Sequence, residues 1–223
     1  MTESNSKTAI VLGATGLIGR HLVNKLLDDS RYGTVKTFSR RSAGINHPKL
    51  EENIVDFSLI EQWGDKVSGD ELYTALGTTI KKAGSKEKQY LVDYTFQYET
   101  AHAAAVNQVE KLLLVSSAGA NRYSFNFYLR IKGLLESAVS EMPFKRIIIF
   151  QPSLLIGERE TPRFTENMAG IIMNALLKYI PGIKKLRPIK AETVAEAMIN
   201  AANDSTFERL LIFKSDQIFR IAE

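Results

Sequence analysis

The feature that most constrains this 223-residue sequence is a glycine-rich turn between a short apolar run and an amphipathic segment. The apolar run, residues 8–12, predicts a buried strand, and the apolar periodicity of residues 17–27 predicts a helix. The three glycines between them permit a tight turn, a close approach of the backbone to phosphate groups, and close packing of the helix on the strand. The start of the helix adds partial positive charge. The sequence therefore predicts that the whole turn, Gly13-Ala14-Thr15-Gly16-Leu17-Ile18-Gly19, binds the pyrophosphate of a dinucleotide.

Strand-like and helix-like segments alternate along the rest of the chain. Further strands are expected at 35–39, 53–57, 71–76, 111–116, 146–150 and 209–213, and further helices at 91–106, 128–140, 166–179 and 191–202, with a loop at 77–88. The strands are mostly continuous apolar runs, which is typical of a parallel sheet covered on both faces. We predict an α/β fold with a doubly wound parallel sheet of Rossmann type. In this prediction residues 1–223 form a single domain, and residues 158–223 form a small helical and strand extension that shapes a substrate pocket.

Composition narrows the class of protein further. The chain has no cysteine, which excludes a disulfide scaffold, a thiolate metal site and a cysteine nucleophile. Its formal net charge of +4 suits an anionic ligand such as a nucleotide and does not by itself indicate nucleic acid. The polar first residues lack the apolar core of a signal peptide, and no apolar run approaches the ~20 residues that cross a bilayer. We therefore expect a cytoplasmic protein without a membrane segment.

The residues after the second predicted strand decide between two dinucleotides. An acidic residue there would bind the ribose 2′-hydroxyl of NAD, but this sequence has Ser39-Arg40-Arg41. A guanidinium group pairs well with a phosphate and stacks on an aromatic base. The sequence thus favours NADPH over NADH, with Arg40 as the main ligand of the 2′-phosphate. Asp56, after the third predicted strand, is a candidate acceptor for the adenine amino group.

A tyrosine and a lysine four residues apart suggest proton transfer. Tyr128 and Lys132 share one face of a predicted helix. A free tyrosine, with a pKa near ~10, is a poor base, and a neighbouring ammonium group is expected to lower that pKa. Tyr128 is then a candidate acid or base toward a substrate oxygen. Tyr128 and Lys132 are also candidate cofactor-binding residues, with Lys132 as a ligand of the nicotinamide ribose. Ser117, after the fifth predicted strand, is the candidate hydrogen-bond donor to a substrate carbonyl, with Ser116 as the alternative.

These motifs together make the sequence similar to a known family. The Gly-x-x-Gly-x-x-Gly spacing, the serine, the tyrosine and the lysine resemble the short-chain dehydrogenase/reductase superfamily. Other segments resemble its atypical HIV Tat-interacting oxidoreductase-like subgroup over nearly the whole chain; they include Ala75-Leu76-Gly77-Thr78-Thr79, Val92-Asp93-Tyr94, Ser116-Ser117-Ala118-Gly119-Ala120 and Phe127-Tyr128-Leu129-Arg130-Ile131-Lys132-Gly133.

The resemblance implies further residues at the cofactor. Leu76, Gly77 and Thr78 are expected to lie against it, and Leu155 and Arg163 are candidates for contacts beside the nicotinamide. Two features depart from the family pattern. The Asn-Ala-Gly sequence found after strand four in many members is absent, and no asparagine can be assigned to the catalytic tetrad. The route of the proton relay therefore stays open.

Two functions remain compatible with the sequence. The first is an NADPH-dependent oxidoreductase that transfers hydride between the nicotinamide and a small carbonyl or alcohol, with Ser117, Tyr128 and Lys132 as catalytic residues. The second is a non-catalytic NADP(H)-binding sensor or regulator that acts through a protein partner. Retention of the tyrosine and the lysine favours the enzyme. The sequence names no substrate, and it leaves open whether the chain forms a homodimer.

Overall fold

A sheet of seven parallel strands forms the centre of the structure. The computed structural model describes residues 6–156, 187–205 and 208–223. The strands are β1 (Lys7–Leu12), β2 (Tyr32–Ser39), β3 (Leu50–Ile54), β4 (Glu71–Thr74), β5 (Lys111–Val115), β6 (Arg146–Gln151), β7 (Leu155–Ile156), β8 (Ile189–Lys190) and β9 (Leu210–Lys214). The helices are α1 (Leu17–Asp28), α2 (Ile80–Ala83), α3 (Lys86–Tyr90), α4 (Phe96–Val106), α5 (Phe127–Ser140), α6 (Ala191–Asn203) and α7 (Ser215–Ala222), and a π-helical turn, Leu91–Thr95, joins α3 to α4.

The strand order confirms the prediction of a doubly wound sheet. The seven strands lie in the order β3-β2-β1-β4-β5-β6-β9, and each neighbouring pair is parallel. The order reverses between β1 and β4, so the connections after these strands diverge and leave a crevice at their carboxyl ends. In open α/β sheets ligands bind in this crevice.

Two hydrophobic layers cover the sheet. Along β1, Ala9 and Val11 point to the layer that contains α1 and α6, whereas Ile10 and Leu12 point to the layer that contains α4 and α5. Since successive side chains of a strand face opposite sides, a strand covered on both sides must be apolar at every position. This requirement explains the continuous apolar runs of the sequence.

Several boundaries differ from the predictions. Strand β3 covers Leu50–Ile54 rather than 53–57, because it is an edge strand whose exposed Glu51 and Glu52 carry no apolar signal. The predicted loop at 77–88 contains α2 and the start of α3, and the final helix α7 and the short pair β7–β8 were not predicted. The predicted helix at 166–179 lies outside the described residues. The division into a domain and an extension stays a prediction, although β9 belongs to the main sheet and α6 packs on α1.

A buried carboxylate ties the amino ends of the central strands together. Glu71, at the start of β4, is 1% exposed and accepts hydrogen bonds from the hydroxyls of Tyr32 and Tyr73, both at 2.7 Å. Its other oxygen lies 2.9 Å from Lys7 Nζ and 3.2 Å from Lys111 Nζ. Burial alone would raise the pKa of Glu71, but the hydrogen bonds from Tyr32, Lys7 and Tyr73 outweigh it and hold the pKa below its ordinary value. The charged carboxylate is therefore the form that the fold stabilises.

Replacement of this carboxylate by an amide should destabilise the fold in a pH-dependent way. In Glu71→Gln the amide nitrogen cannot accept hydrogen bonds, and we expect the free energy of unfolding to fall by about 2 kcal/mol near neutral pH. The pKa of Glu71 is lower in the folded state than its ordinary value of 4.5. Its contribution to the free energy of unfolding is therefore complete above pH 4.5 and is lost as the pH falls below that value. Urea denaturation at neutral and acidic pH tests this. The exposed Glu51→Gln serves as control, and a stability difference that does not change with pH would contradict the assignment.

Candidate active site

The glycine turn is held tightly between β4 and α1. Gly13 has a φ of +89°, and a Cβ atom on it would lie 2.8 Å from the backbone of Ala75 and Leu76. A Cβ atom on Gly19 would lie 2.0 Å from the carbonyl oxygen of Gly13. Gly16 precedes α1, and no side chain caps this helix end. The first backbone amides of α1 are thus available to an anion, as in a phosphate-binding turn.

The seven residues of the turn do not all face the same way. The side chains of Ala14 and Ile18 are buried in the core beside α1, so only their backbone can face a ligand. Thr15 and Leu17 are partly exposed. The predicted pyrophosphate site therefore consists mainly of backbone atoms.

A cleft beside the turn brings it together with the arginine pair. The cleft has a volume of about 370 Å³ and lies at the carboxyl ends of β1, β2 and β4; it is lined by Gly13, Thr15, Phe38, Ser39, Arg40, Arg41, Phe57 and Leu76. Both arginines are exposed, and the hydroxyl of Ser39 donates a hydrogen bond to the carbonyl oxygen of Arg41. Phe38 and Phe57, which the sequence interpretation missed, add aromatic surface to a cleft with two guanidinium groups.

Asp56 is placed differently from the prediction. It is exposed and does not line the cleft, and its carboxylate accepts hydrogen bonds from the amide and the hydroxyl of Ser58, at 2.9 and 2.6 Å. These two bonds hold the pKa of Asp56 below its ordinary value. The neighbouring Phe57 occupies the cleft wall instead. A contact between Asp56 and an adenine stays a prediction.

The predicted serine, tyrosine and lysine come together at the same edge of the sheet. Asn126 caps α5 by accepting a hydrogen bond from the amide of Leu129, which starts the helix just before Tyr128. The loop before α5 passes close to this helix at Gly133. A Cβ atom on Gly133 would lie only 2.2 Å from the amide nitrogen of Arg122. Ser117, which follows β5, shares a hydrogen bond with Tyr128. The structure therefore brings the three predicted residues together, and their catalytic roles stay predictions.

The electrostatics of the tyrosine differ from the prediction. Burial has the largest effect on Tyr128 and raises its pKa, and the carboxylate of Asp93 raises it further. The ammonium group of Lys132 and a hydrogen bond with Ser117 lower this pKa, but the net shift is upward. The ammonium group of Lys132 does lower the pKa of Tyr128, as the sequence predicts, but desolvation outweighs it. Burial would lower the pKa of Lys132, but Asp93 and Tyr128 raise it, and the net direction is upward. The site holds a neutral phenol beside a charged ammonium group.

Two acidic residues that the sequence interpretation did not assign act on the charge of the lysine. Asp93 Oδ1 lies 3.3 Å from Lys132 Nζ, and both side chains are buried. Glu136, one helical turn after the lysine, accepts hydrogen bonds from Gln151 Nε2 at 3.0 and 3.1 Å. Burial raises the pKa of Glu136, although Ser116, Gln151 and Lys132 oppose the shift. The spacing of Lys132 and Glu136 could have suggested their electrostatic interaction, but nothing local pairs Lys132 with Asp93.

The remaining cofactor predictions divide into three cases. Gly77 and Thr78 follow the cleft residue Leu76, and a Cβ atom on Gly77 would lie 3.9 Å from Lys132 Nζ, so this turn connects the cleft to the lysine. Leu155 lies in β7 and packs against the core that contains α1 and α6, outside the cleft. Arg163 lies outside the described residues. Ser116 was the alternative to Ser117. Its hydroxyl is buried and has no hydrogen-bond partner of good geometry among the residues that the structure describes.

The fold and the site together define a Rossmann-type protein that binds a nicotinamide dinucleotide. Residues 13–205 match the model of the NAD(P)H-binding family, so the chain belongs to that family. Solved structures share the fold. An oxidoreductase of the short-chain dehydrogenase/reductase family from Burkholderia thailandensis has a TM-score of 0.67 at 18% identity. The alignment covers 96% of this chain and 93% of that oxidoreductase. A UDP-N-acetylglucosamine 4-epimerase from Methanobrevibacter ruminantium has a TM-score of 0.70 at 17% identity, with 94% and 76% coverage.

Curated relatives correct the predicted location. The mitochondrial protein FMP52-1 of Scheffersomyces stipitis is 36% identical over 210 residues, which cover 91% of this chain and 90% of that protein. The mitochondrial protein FMP52 of Meyerozyma guilliermondii is 34% identical, with 96% and 95% coverage. The prediction of a cytoplasmic protein is wrong in view of these names, because an unremarkable N-terminal composition does not decide the compartment.

Within the described residues, no helix has the length and apolarity that a bilayer span requires.

Proposed function

We propose that this protein is an NADPH-dependent oxidoreductase that acts on a small carbonyl or alcohol. The arrangement that carries this proposal is the hydrogen bond of Tyr128 with Ser117 and the charge of Lys132 nearby, beside a turn that leads directly into the cleft of the glycine loop. The mitochondrial names of the relatives support a mitochondrial site of action. A small-molecule substrate remains part of the proposal.

The described residues fit a dinucleotide. Side chains at Gly13 and Gly19 would collide with backbone, so the turn is shaped to present backbone amides rather than side chains. The uncapped start of α1 suits the pyrophosphate, and Arg40 and Arg41 suit a 2′-phosphate. When bound, NADPH supplies the hydride from C4 of its nicotinamide.

The protein residues then manage the proton and the oxygen. Ser117 donates a hydrogen bond to the substrate carbonyl and so stabilises the negative charge that develops on its oxygen. Tyr128, kept neutral by its raised pKa, transfers its hydroxyl proton to that oxygen. The ammonium group of Lys132 stabilises the phenolate that remains and binds the nicotinamide ribose. A neutral phenol suits reduction of a carbonyl better than oxidation of an alcohol.

A pair of titrations tests the cofactor part of the proposal. We expect the wild type to bind NADPH much more tightly than NADH, and Arg40→Ala to weaken NADPH binding by about 10- to 100-fold while leaving NADH binding unchanged. This range corresponds to loss of charged hydrogen bonds to a phosphate. Isothermal calorimetry gives both dissociation constants, and Arg41→Ala reports the share of the second arginine.

The control removes the same charge far from the cleft. Arg220→Ala changes an exposed arginine on α7 and should leave both dissociation constants as they are. Equal binding of the two dinucleotides by the wild type would contradict the 2′-phosphate assignment. NADPH binding without oxidation of NADPH by any aldehyde or ketone tested would favour the sensor over the enzyme.

A further inference from the structure

The buried ion pair of Asp93 and Lys132 joins two segments of the site that are distant in the chain. Asp93 Oδ1 lies 3.3 Å from Lys132 Nζ, and the two side chains are 0% and 4% exposed. A buried carboxylate is costly unless charged and polar groups compensate it. Its position beside the catalytic tyrosine and lysine of the proposed function therefore calls for an explanation other than general stability.

A break in helical geometry brings Asp93 to the lysine. Asp93 lies in the middle of the π-helical turn Leu91–Thr95, which inserts an extra residue into the otherwise continuous helix from α3 to α4. Such turns are rare and occur frequently at functional sites. Gln97 Nε2 donates to the carbonyl oxygen of Asp93 at 3.0 Å, and Gln97 Oε1 accepts from the hydroxyl of Thr74 at the end of β4 at 2.8 Å. The turn is thus fixed to the sheet edge that carries the site.

The carboxylate of Asp93 also holds the turn that follows the cleft. The amide of Thr78 donates to both carboxylate oxygens, at 3.4 and 3.3 Å, and a Cβ atom on Gly77 would lie 3.2 Å from Asp93 Oδ1. A single side chain therefore connects two segments expected at the cofactor, the turn after β4 and the lysine of α5. A residue needed only for stability would not have to reach both.

The two charges of the ion pair shift the pKa of Tyr128 in opposite directions. Asp93 approaches from the π turn, Glu136 from the next turn of α5, and Tyr128 from the preceding one. Burial raises the pKa of Asp93, and Lys132 and the amide of Thr78 lower it, with a net upward direction. Both Asp93 and burial raise the pKa of Tyr128, whereas Lys132 lowers it.

We propose that Asp93 is a positioning residue whose carboxylate fixes the ammonium group of Lys132 between the Gly77–Thr78 turn and the phenol of Tyr128. This proposal rests on the proposed function, because it assigns a task to the lysine of that site. Asp93 touches the lysine rather than the substrate, and it acts by limiting where the ammonium group can lie and how strongly its charge reaches Tyr128.

The first test measures the tyrosine without requiring turnover. The absorbance of tyrosinate is followed against pH in the wild type and in Asp93→Asn, each compared with the same protein carrying Tyr128→Phe. The asparagine oxygen can still accept from Thr78, but its charge is gone. We expect the pKa of Tyr128 to fall by about one unit or more. An unchanged pKa would overturn the proposal, even if the protein proved to be a sensor with no activity.

The second test asks whether Asp93 acts through the lysine. We expect Asp93→Asn to raise the NADPH dissociation constant about 10-fold in the wild type and to have no further effect in a Lys132→Met background. Such non-additivity is the signature of two residues in one network. Additive effects would overturn the proposal. If the wild type did not bind NADPH at all, the proposed function would fail, while the tyrosinate titration would still test Asp93.

Two further variants separate positioning from stability. Thr100→Val removes a buried hydroxyl that donates only to the carbonyl oxygen of Phe96 in the same helix, and it should move neither readout. Gly77→Ala places a methyl group against Asp93 Oδ1 without changing any charge. It should change the pKa of Tyr128, because a displaced carboxylate no longer holds the ammonium group in the same place, and it serves as the test if Asp93→Asn does not fold. No shift in a folded Gly77→Ala protein would then count against the proposal.

Discussion

Tyr128→Phe is expected to reduce carbonyl reduction by about 10²- to 10⁴-fold, the range for loss of a general acid. The phenylalanine keeps the ring and removes only the hydroxyl whose proton goes to the substrate oxygen. NADPH binding should stay within about twofold of the wild type, since the cleft of the glycine turn and the arginine pair does not include this residue. The measurement is the initial rate of NADPH oxidation with an aromatic aldehyde as probe, together with the dissociation constant of NADPH.

A second tyrosine offers a matched control. Tyr123 lies in the loop before α5 and is 77% exposed, and Tyr123→Phe should leave the rate unchanged. A Tyr128→Phe variant as fast as the wild type would show that another group supplies the proton. Loss of NADPH binding together with activity would instead assign the hydroxyl to cofactor binding.

The pH profile of this reaction follows from the raised pKa of Tyr128. The protonated phenol is the proton donor, so kcat/KM for reduction should be constant near neutral pH and fall only on the alkaline side of an ordinary tyrosine pKa. A net lowered pKa of Tyr128 would instead move this fall toward neutral pH. Local spacing shows that Lys132 is close to Tyr128, but it contains no information on desolvation or on Asp93, and these two decide the sign.

Features carried by contiguous residues were predictable. The glycine turn, the arginines after β2 and the helix with Tyr128 and Lys132 each depend on a few neighbouring positions, and the topology of a parallel sheet brings their carboxyl-terminal ends to one edge. Edge strand β3 was displaced in the prediction because exposed polar residues give no apolar signal. Thus short motifs and strands that are buried on both faces could be predicted from the sequence, whereas an exposed edge strand could not be placed correctly.

Features that depend on distant contacts were not predictable. Asp93 and Lys132 are far apart in the chain, and the π turn that orients Asp93 has no sequence signature of its own. The aromatic wall formed by Phe38 and Phe57 also arises only after β2 has paired with β3, because this pairing places the segment after β3 beside the cleft. Motifs therefore indicated the residues of the candidate site, whereas packing determined their electrostatics.

Gly19→Ala is expected to lower the free energy of unfolding by about 3 kcal/mol, the upper end for overpacking. The new Cβ atom would lie 2.0 Å from the carbonyl oxygen of Gly13 and 3.0 Å from the Cα of Ala14. The turn cannot move away, because Gly13 is itself packed against the backbone after β4. A loss of this size lowers Tm by roughly 6–12 °C in a protein of this length.

The same substitution should weaken NADPH binding by about 100-fold or more, because α1 can relieve the collision only by tilting its amide groups away from the pyrophosphate position. Gly64→Ala is the control, since a Cβ atom there meets only Ala103 and Ile60 side chains at 3.6 Å, which is ordinary contact. Thermal unfolding and calorimetric titration of both variants separate the two effects. A Gly19→Ala protein that loses stability but binds NADPH normally would show that the close packing of α1 on the turn serves the fold alone, and that the phosphates are held elsewhere.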